Sequence, residues 1–362
     1  MNFLQSIEKT KQNFISWWER KDFGRPLTKM QGVRSEINWP FVPSDFRKQW
    51  MDPDFRFALT KAVAESRNYY FDALPFIDLN MGPGSMAAYL GAEPVFKADT
   101  VWYEEIAKNS LRDLGTLKYD QNNDWWKEHK RCVSELTTFC KNTPLFSTIP
   151  DILENMDILS LLRSPQELCY DMMDCPLDVH KYLDQVEELF YIYYEDMYNI
   201  VKAEDGSCAF TAFSIWGPGK TAKIQCDFST LMSPDQYKEF VLPSLKRQTE
   251  KIDYTLYHLD GVDAIRHLDS ILSMDKLNAL QWTPGAGQID GGDESWYFIY
   301  DKVIEHGKGL WISMDQGGVE RWIEKSRSIV KRYGTAGIYF LYADLIDQDA
   351  QKLASEVEKG FK

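Results

Sequence analysis

The chain has no Cys-x-x-Cys pair, no long apolar run and no excess of positive charge. Its six cysteines, Cys132, Cys140, Cys169, Cys175, Cys208 and Cys226, are scattered through 362 residues. A chain of this length needs no disulfide framework, so they read as free thiols in a reducing compartment. No apolar run reaches the roughly 18 residues that a membrane span needs. The first residues, MNFLQSIEKTKQNFISWWERK, form an amphipathic pattern that carries acidic side chains. They lack the basic start, apolar middle and small-residue cleavage site of a secretory leader. The expectation is a cytoplasmic protein. With 41 basic against 55 acidic residues the net charge is −14. A phosphate backbone or an anionic lipid surface would be repelled, so no nucleic-acid or membrane partner is expected. A small anionic substrate stays open, because a local cation can act within a negative whole.

No repeat, low-complexity tract or flexible linker interrupts the chain. Helical patterns and short apolar runs alternate to the end, which signals α/β architecture with mostly parallel strands. Residues 2–22 read as a helix and 26–33 as a strand. Residues 53–71 read as helical, 74–79 as a strand, and 80–85 as a loop. Helices are expected over 125–142, 164–175, 176–202 and 233–252, the last with Ser233 as N-cap and Pro234 in its first turn. Strand centres fall near residues 28, 76, 147, 211, 256, 280, 312 and 339. About eight strands separated by helices fit a (β/α)8 TIM barrel with an N-terminal helical extension. The expected division is 1–24 for the extension and 25–362 for the barrel. A doubly wound sheet fits less well, since no Gly-rich fingerprint follows an early strand.

The stretch 256–285, LYHLDGVDAIRHLDSILSMDKLNALQWTPG, reads as strand, polar tip, helix, strand, polar tip. Barrels and open sheets build their chemistry just past the carboxyl ends of strands. His258 and Asp260 are two apart, so on a strand they share a face. They form a candidate acid–base or metal-ligand pair, with a structural histidine and a helix-capping aspartate as the plainer alternative. Other polar residues stand at expected strand ends: Asp78 and Asp227 as further catalytic candidates, and Gln281, Trp282, Asp315 and Asp344 as substrate-binding ones. Arg34, after the first strand, and Trp216, closing the run 208–216, complete the expected binding set. So many carboxylates at one rim would raise one another's pKa unless a cation, a metal or a shared proton sits among them. A quaternary amine stacked on Trp282 is one cationic ligand that fits. Cys226, one residue before Asp227, is the best placed thiol. His129, His267 and His306 read as surface or helix residues.

The run Asp227-Phe228-Ser229-Thr230-Leu231-Met232-Ser233-Pro234, the helix through Phe240 and Pro243, and His258 with Gly261 resemble the uroporphyrinogen decarboxylase superfamily. The segment 145–179, a strand ending in proline and then a helix with the cadence LRSPQELCYDMMDCPLDVHKYL that begins at Leu162, is similar to it as well. The resemblance spans roughly residues 25–345 and implies a (β/α)8 barrel. Two activities come with it. The decarboxylases carry an Arg-Gln-Ala-Gly-Arg stretch after the first strand; this chain has Lys29-Met30-Gln31-Gly32-Val33-Arg34, so a many-carboxylate tetrapyrrole is a poor fit. The methyltransferases hold zinc with His-x-Cys and a distant cysteine. Here His258 matches the histidine, Asp260 replaces the first cysteine, and Tyr342-Ala343-Asp344 offers no second one. The resemblance therefore implies a corrinoid-linked methyltransferase acting on a small methylated or thiol substrate. Its expected cofactor is zinc or another divalent metal on His258 and Asp260, with corrinoid brought by a partner protein. A decarboxylase of a smaller substrate and a non-catalytic small-molecule-binding barrel remain as alternatives.

Overall fold

A computed structural model describes residues 3–77 and 79–361. The strands are β1 (Leu27–Val33), β2 (Arg67–Phe71), β3 (Phe76–Ile77), β4 (Pro94–Phe96), β5 (Val101–Tyr103), β6 (Phe146–Ser147) and β7 (Cys208–Phe210). They continue with β8 (Ile215–Gly217), β9 (Thr221–Gln225), β10 (Tyr254–Asp260), β11 (Ala279–Thr283), β12 (Gly309–Met314), β13 (Ile338–Tyr342) and β14 (Leu345–Ile346). One large sheet runs β14-β1-β13-β12-β11-β10-β9, parallel throughout, with β2 added antiparallel on β1. β3 pairs parallel with β6, and a parallel bridge joins Ile149 to Phe210 next to β7. The architecture is mixed α/β: a central, mostly parallel sheet with many helices packed on it. No described helix is long and apolar enough to cross a membrane.

Alternation decides which side chains meet the helices and which meet the sheet's other face. Tyr257, Leu259, Leu280, Trp282, Leu310 and Ile312 are buried. Between them stand His258, Gln281 and Trp311, which share one row of the ladder. Trp311 is in register with Tyr339, which extends the row to β13.

The turn 211–214 lies against this row. The Phe213 ring is 4.8 Å from the His258 ring, and the Phe213 carbonyl accepts the Trp311 indole N–H at 2.9 Å. The Ser214 carbonyl accepts the Tyr339 hydroxyl at 2.8 Å. Thr211 meets Thr148 beside β6 at 2.6 Å. One turn touching β10, β12, β13 and the β6 side means that the sheet curls around it.

The helix Phe3–Trp18 covers the amino ends of the strands. Trp17 donates to the carbonyl of Gly337, just before β13, at 3.0 Å, and Trp18 donates to that of Trp216 at 2.8 Å.

Two local expectations are corrected. The helix from Pro53 stops at Glu65, and after Ser66 the five residues 67–71 form β2. Arg-Asn-Tyr-Tyr-Phe is rich in aromatics, which favour a pleated, half-buried surface. The run 208–216 is no single strand but the hairpin β7–β8, reversed at a turn where Ser214 has φ +50°. The parallel strand is β9, whose Thr-Ala-Lys-Ile-Gln carries buried polar side chains and so lacks a purely apolar signature.

Candidate functional site

The carboxyl ends of β9 and β10 bring Asp227, His258 and Asp260 together. One ligand atom from each lies within 4.8 Å of the others. His258 Nε2 stands 3.9 Å from Asp260 Oδ2. Its Nδ1 is hydrogen-bonded to Gln281 Oε1, while the Gln281 amide donates to Thr283 Oγ1 at 2.8 Å. The amide oxygen can only accept, so the proton sits on Nδ1 and Nε2 keeps its lone pair. Burial, then the nearby Lys223 ammonium, lower the His258 pKa and keep the ring neutral.

Beneath the trio lies a network that the sequence reading did not find. Lys223 is buried on β9 and donates to Asp151 Oδ2 at 2.8 Å and to Gln225 Oε1. The Gln225 amide nitrogen bridges two carboxylates, Asp157 Oδ2 at 3.1 Å and Asp227 Oδ2 at 2.8 Å. Asp157 also accepts the backbone N–H groups of Asp227 and Phe228 at 2.9 and 2.8 Å, which pins the turn after β9. Glu154 accepts the Gln225 N–H at 2.9 Å. Its neighbours Leu153 and Asn155 have φ of +52° and +45°. Such backbone strain in non-glycine residues persists only where the surroundings impose it.

Asp151, Glu154, Asp157 and Asp227 thus crowd around one ammonium, with Asp260 beside Asp227 and His258. Burial pushes Glu154 up to about 8. Asp157 is raised by burial too. Asp227 is exposed on its outer side, yet desolvation by the surrounding chain, then the charge of Asp157, push it up to about 7. The cluster holds protons near neutrality, or a cation replaces them.

Of the other expected site residues, Trp282 and Trp216 are not brought to this centre. Trp282 is fully buried on the opposite face, one residue out of phase with Gln281, and packs on Trp296 at 5.2 Å. It is a core residue and cannot stack a ligand beside His258. Trp216 is also buried and lies with Phe14 and Trp18 by the amino-terminal helix, at the wrong end of the sheet. Arg34 is exposed and donates to the Glu65 carbonyl. Asp344 pairs with Arg67 at 2.9 Å, and Asp315 is exposed after β12. Asp78 lies outside the described residues. Gln281 keeps a place at the site as the partner of His258. His129 and His267 lie on helical segments, as expected, and are buried there: His267 holds the Ser229 carbonyl at 2.9 Å. Cys226 is buried with its thiol pKa raised by burial, so it offers no thiolate.

Compared with known proteins, the chain matches no family model and no curated relative.

Sequence reasoning had a signal for part of what it missed. Lys223 and Gln225 are two apart on a strand, as His258 and Asp260 are. Asp157 and Glu154 carried none, because only the fold brings the start of the helix Asn155–Arg163 and the residue before it under β9.

Proposed function

We propose that the chain is a (β/α)8 barrel enzyme of the uroporphyrinogen decarboxylase type. In this reading it holds a divalent cation on Asp227, His258 and Asp260 and moves a methyl group between a corrinoid protein and a small thiol or methylated substrate. The observation that carries the metal site is the convergence of two carboxylates with a histidine nitrogen whose lone pair is free. Barrel closure is supported by the curl of the sheet around residues 211–214 and by the pairing of β3 with β6 and of Ile149 with Phe210. The methyl-transfer half rests on the sequence resemblance.

The donor set suits a cation. It is one nitrogen and two carboxylates, acceptable to zinc and harder than a histidine–cysteine set. A bound cation would supply Lewis-acid stabilisation of an acceptor anion, such as a thiolate. The chain's own groups do the rest. Gln281 fixes the His258 tautomer, Asp157 and Gln225 orient Asp227, and Phe213 floors the site against water. A decarboxylase would need a cation free for a substrate carboxylate, and two candidates, Arg34 and Lys220, are already engaged. Arg34 is turned to a backbone carbonyl, and Lys220 pairs with Glu195 at 2.6 Å.

Metal content of purified protein tests the reading, with His258→Ala and Asp227→Asn beside the wild type. Stoichiometric zinc or another divalent ion, lost in both variants, supports it. No binding by the wild type after incubation with zinc, manganese or cobalt removes it.

A further inference from the structure

The hairpin β7–β8 runs through the interior of the curled sheet, from the amino ends of the strands to the metal centre. Its base, Cys208 paired with Gly217, lies beside the amino-terminal helix, where the Trp216 carbonyl accepts the Trp18 indole N–H. Its tip, Thr211–Ser214, reaches the row of His258, Gln281 and Trp311. Asp260 stands two residues further along β10. Asp227 stands two residues beyond Gln225, the register partner of His258. The tip therefore lies one layer beneath both carboxylates. Phe210 and Ile215, which pair across the hairpin just before the tip, are buried.

Holding the tip there strains the backbone. Ser214 has φ +50°, a left-handed conformation that serine seldom adopts and that persists only where the surroundings impose it. Its N–H closes a turn on the Thr211 carbonyl at 2.9 Å. Two ring donors pin the turn from the sheet, Trp311 on the Phe213 carbonyl and Tyr339 on that of Ser214. The Phe213 ring is gripped as well. It meets Trp311 edge-on at 5.6 Å and lies tilted by 40° at 4.8 Å from the His258 ring. Yet Phe213 is only half-buried, and Ala212 beside it is exposed. A ring placed for stability alone would be covered, as Phe210 is. This one stays partly open, and it touches the imidazole that carries the free Nε2.

We propose that Phe213 is a specificity-determining residue, whose ring closes the bottom of the site and limits the ligand to a thiol with a short, unbranched carbon chain. The inference rests on the proposed function for the thiol and for the end of it that faces Asp227, His258 and Asp260; the size limit is its own claim. A chain of two carbons can lie across the phenyl face. An aromatic ring on the ligand needs the volume that the Phe213 ring fills. Exchanging one ring for the other conserves volume, and such exchanges are the best tolerated in packed surroundings.

Saturation-transfer NMR on the full chain tests it, with ethanethiol and phenylmethanethiol as probes, in zinc and in chelator. The wild type should prefer ethanethiol by about tenfold or more, since a single misfitting methylene in an apolar pocket is worth roughly 10- to 200-fold. Phe213→Ala should lose that preference or reverse it. Phe213→Leu, which keeps part of the apolar volume, should fall between the two, and it decides the matter if the alanine variant does not fold. A ring that only supported the fold would, on removal, weaken both thiols together and leave their ratio alone. The same ratio in the wild type and a folded variant overturns the assignment. So does a wild type that takes both thiols equally or binds neither. Zinc bound with an unchanged ratio sinks this inference alone. A ratio that shifts in chelator, with no zinc bound by any sample, sinks the metal reading alone.

Discussion

His258 and Gln281 are register partners on β10 and β11, and the imidazole Nδ1 meets the Gln281 side-chain oxygen. The contact decides which nitrogen is free. Nδ1 carries the proton and Nε2 turns its lone pair toward the carboxylates of Asp260 and Asp227.

Gln281→Leu removes that control without touching a ligand atom. Lost orienting contacts of this kind typically cost about 10- to 100-fold in metal affinity. Zinc titration of the variant should show a drop of that size while the melting temperature stays within a few degrees. An unchanged zinc affinity would show that the tautomer is set elsewhere.

Glu154 titrates against folding at high pH. Its folded pKa, about 8, lies above the ordinary carboxylate value because the group is buried. The native state therefore keeps a proton that the unfolded state has lost. Stability from this group is full below the ordinary carboxylate pKa and drains away as pH rises toward 8. One proton of difference is worth about 1.4 kcal/mol per pH unit. Glu154→Gln retains the acceptor for the Gln225 N–H, so urea unfolding from pH 5 to 8 in chelator should show a shallower decline by up to that slope. Parallel pH profiles for the two proteins would contradict the buried, protonated Glu154.

His129 acts in the opposite direction. It is buried, with Nδ1 2.6 Å from the Tyr89 hydroxyl and Nε2 2.9 Å from the Leu79 carbonyl. The carbonyl can only accept, so Nε2 holds the proton and Nδ1 accepts from Tyr89. Burial lowers the pKa to about 4. The unfolded histidine takes up a proton near pH 6.5 while the folded one does not. This contribution is full above the unfolded pKa and is lost as pH falls toward 4. NMR of the His129 ring should show a neutral imidazole at pH 5.5. A charged His129 at that pH would refute the assignment.

The sequence made the late strands legible and the early ones less so. β10 to β13 are apolar runs of five to seven residues bounded by polar tips, and they stand where expected. His258 and Asp260 were legible for the same reason, as a polar pair at a strand end. β9 was hidden by its own function: a strand that carries Lys223 and Gln225 inward has no apolar signature. β2 was hidden by continuity, since its aromatic residues extend a helical pattern that Ser66 ends. Trp282 was misread because a strand-end position says nothing of phase. One residue separates the face of Gln281 from the core.

The amino-terminal helix separates stability from chemistry. Trp17 is fully buried, donates to the Gly337 carbonyl at 3.0 Å, and lies 5.4 Å from the Tyr339 ring. Gly337 precedes β13, so these contacts are made at the amino ends of the strands, whereas Asp227 and Asp260 sit at the carboxyl ends. Trp17→Ala leaves a large cavity and an unpaired carbonyl, a loss of about 3–5 kcal/mol by analogy with buried tryptophan truncations. Denaturant unfolding should register it. Zinc affinity, measured well below the unfolding transition, should stay within about twofold, because no ligand and no partner of a ligand touches this helix. A parallel fall in zinc affinity would mean that the two ends of the sheet are mechanically coupled, and that the metal centre depends on the packing beneath it.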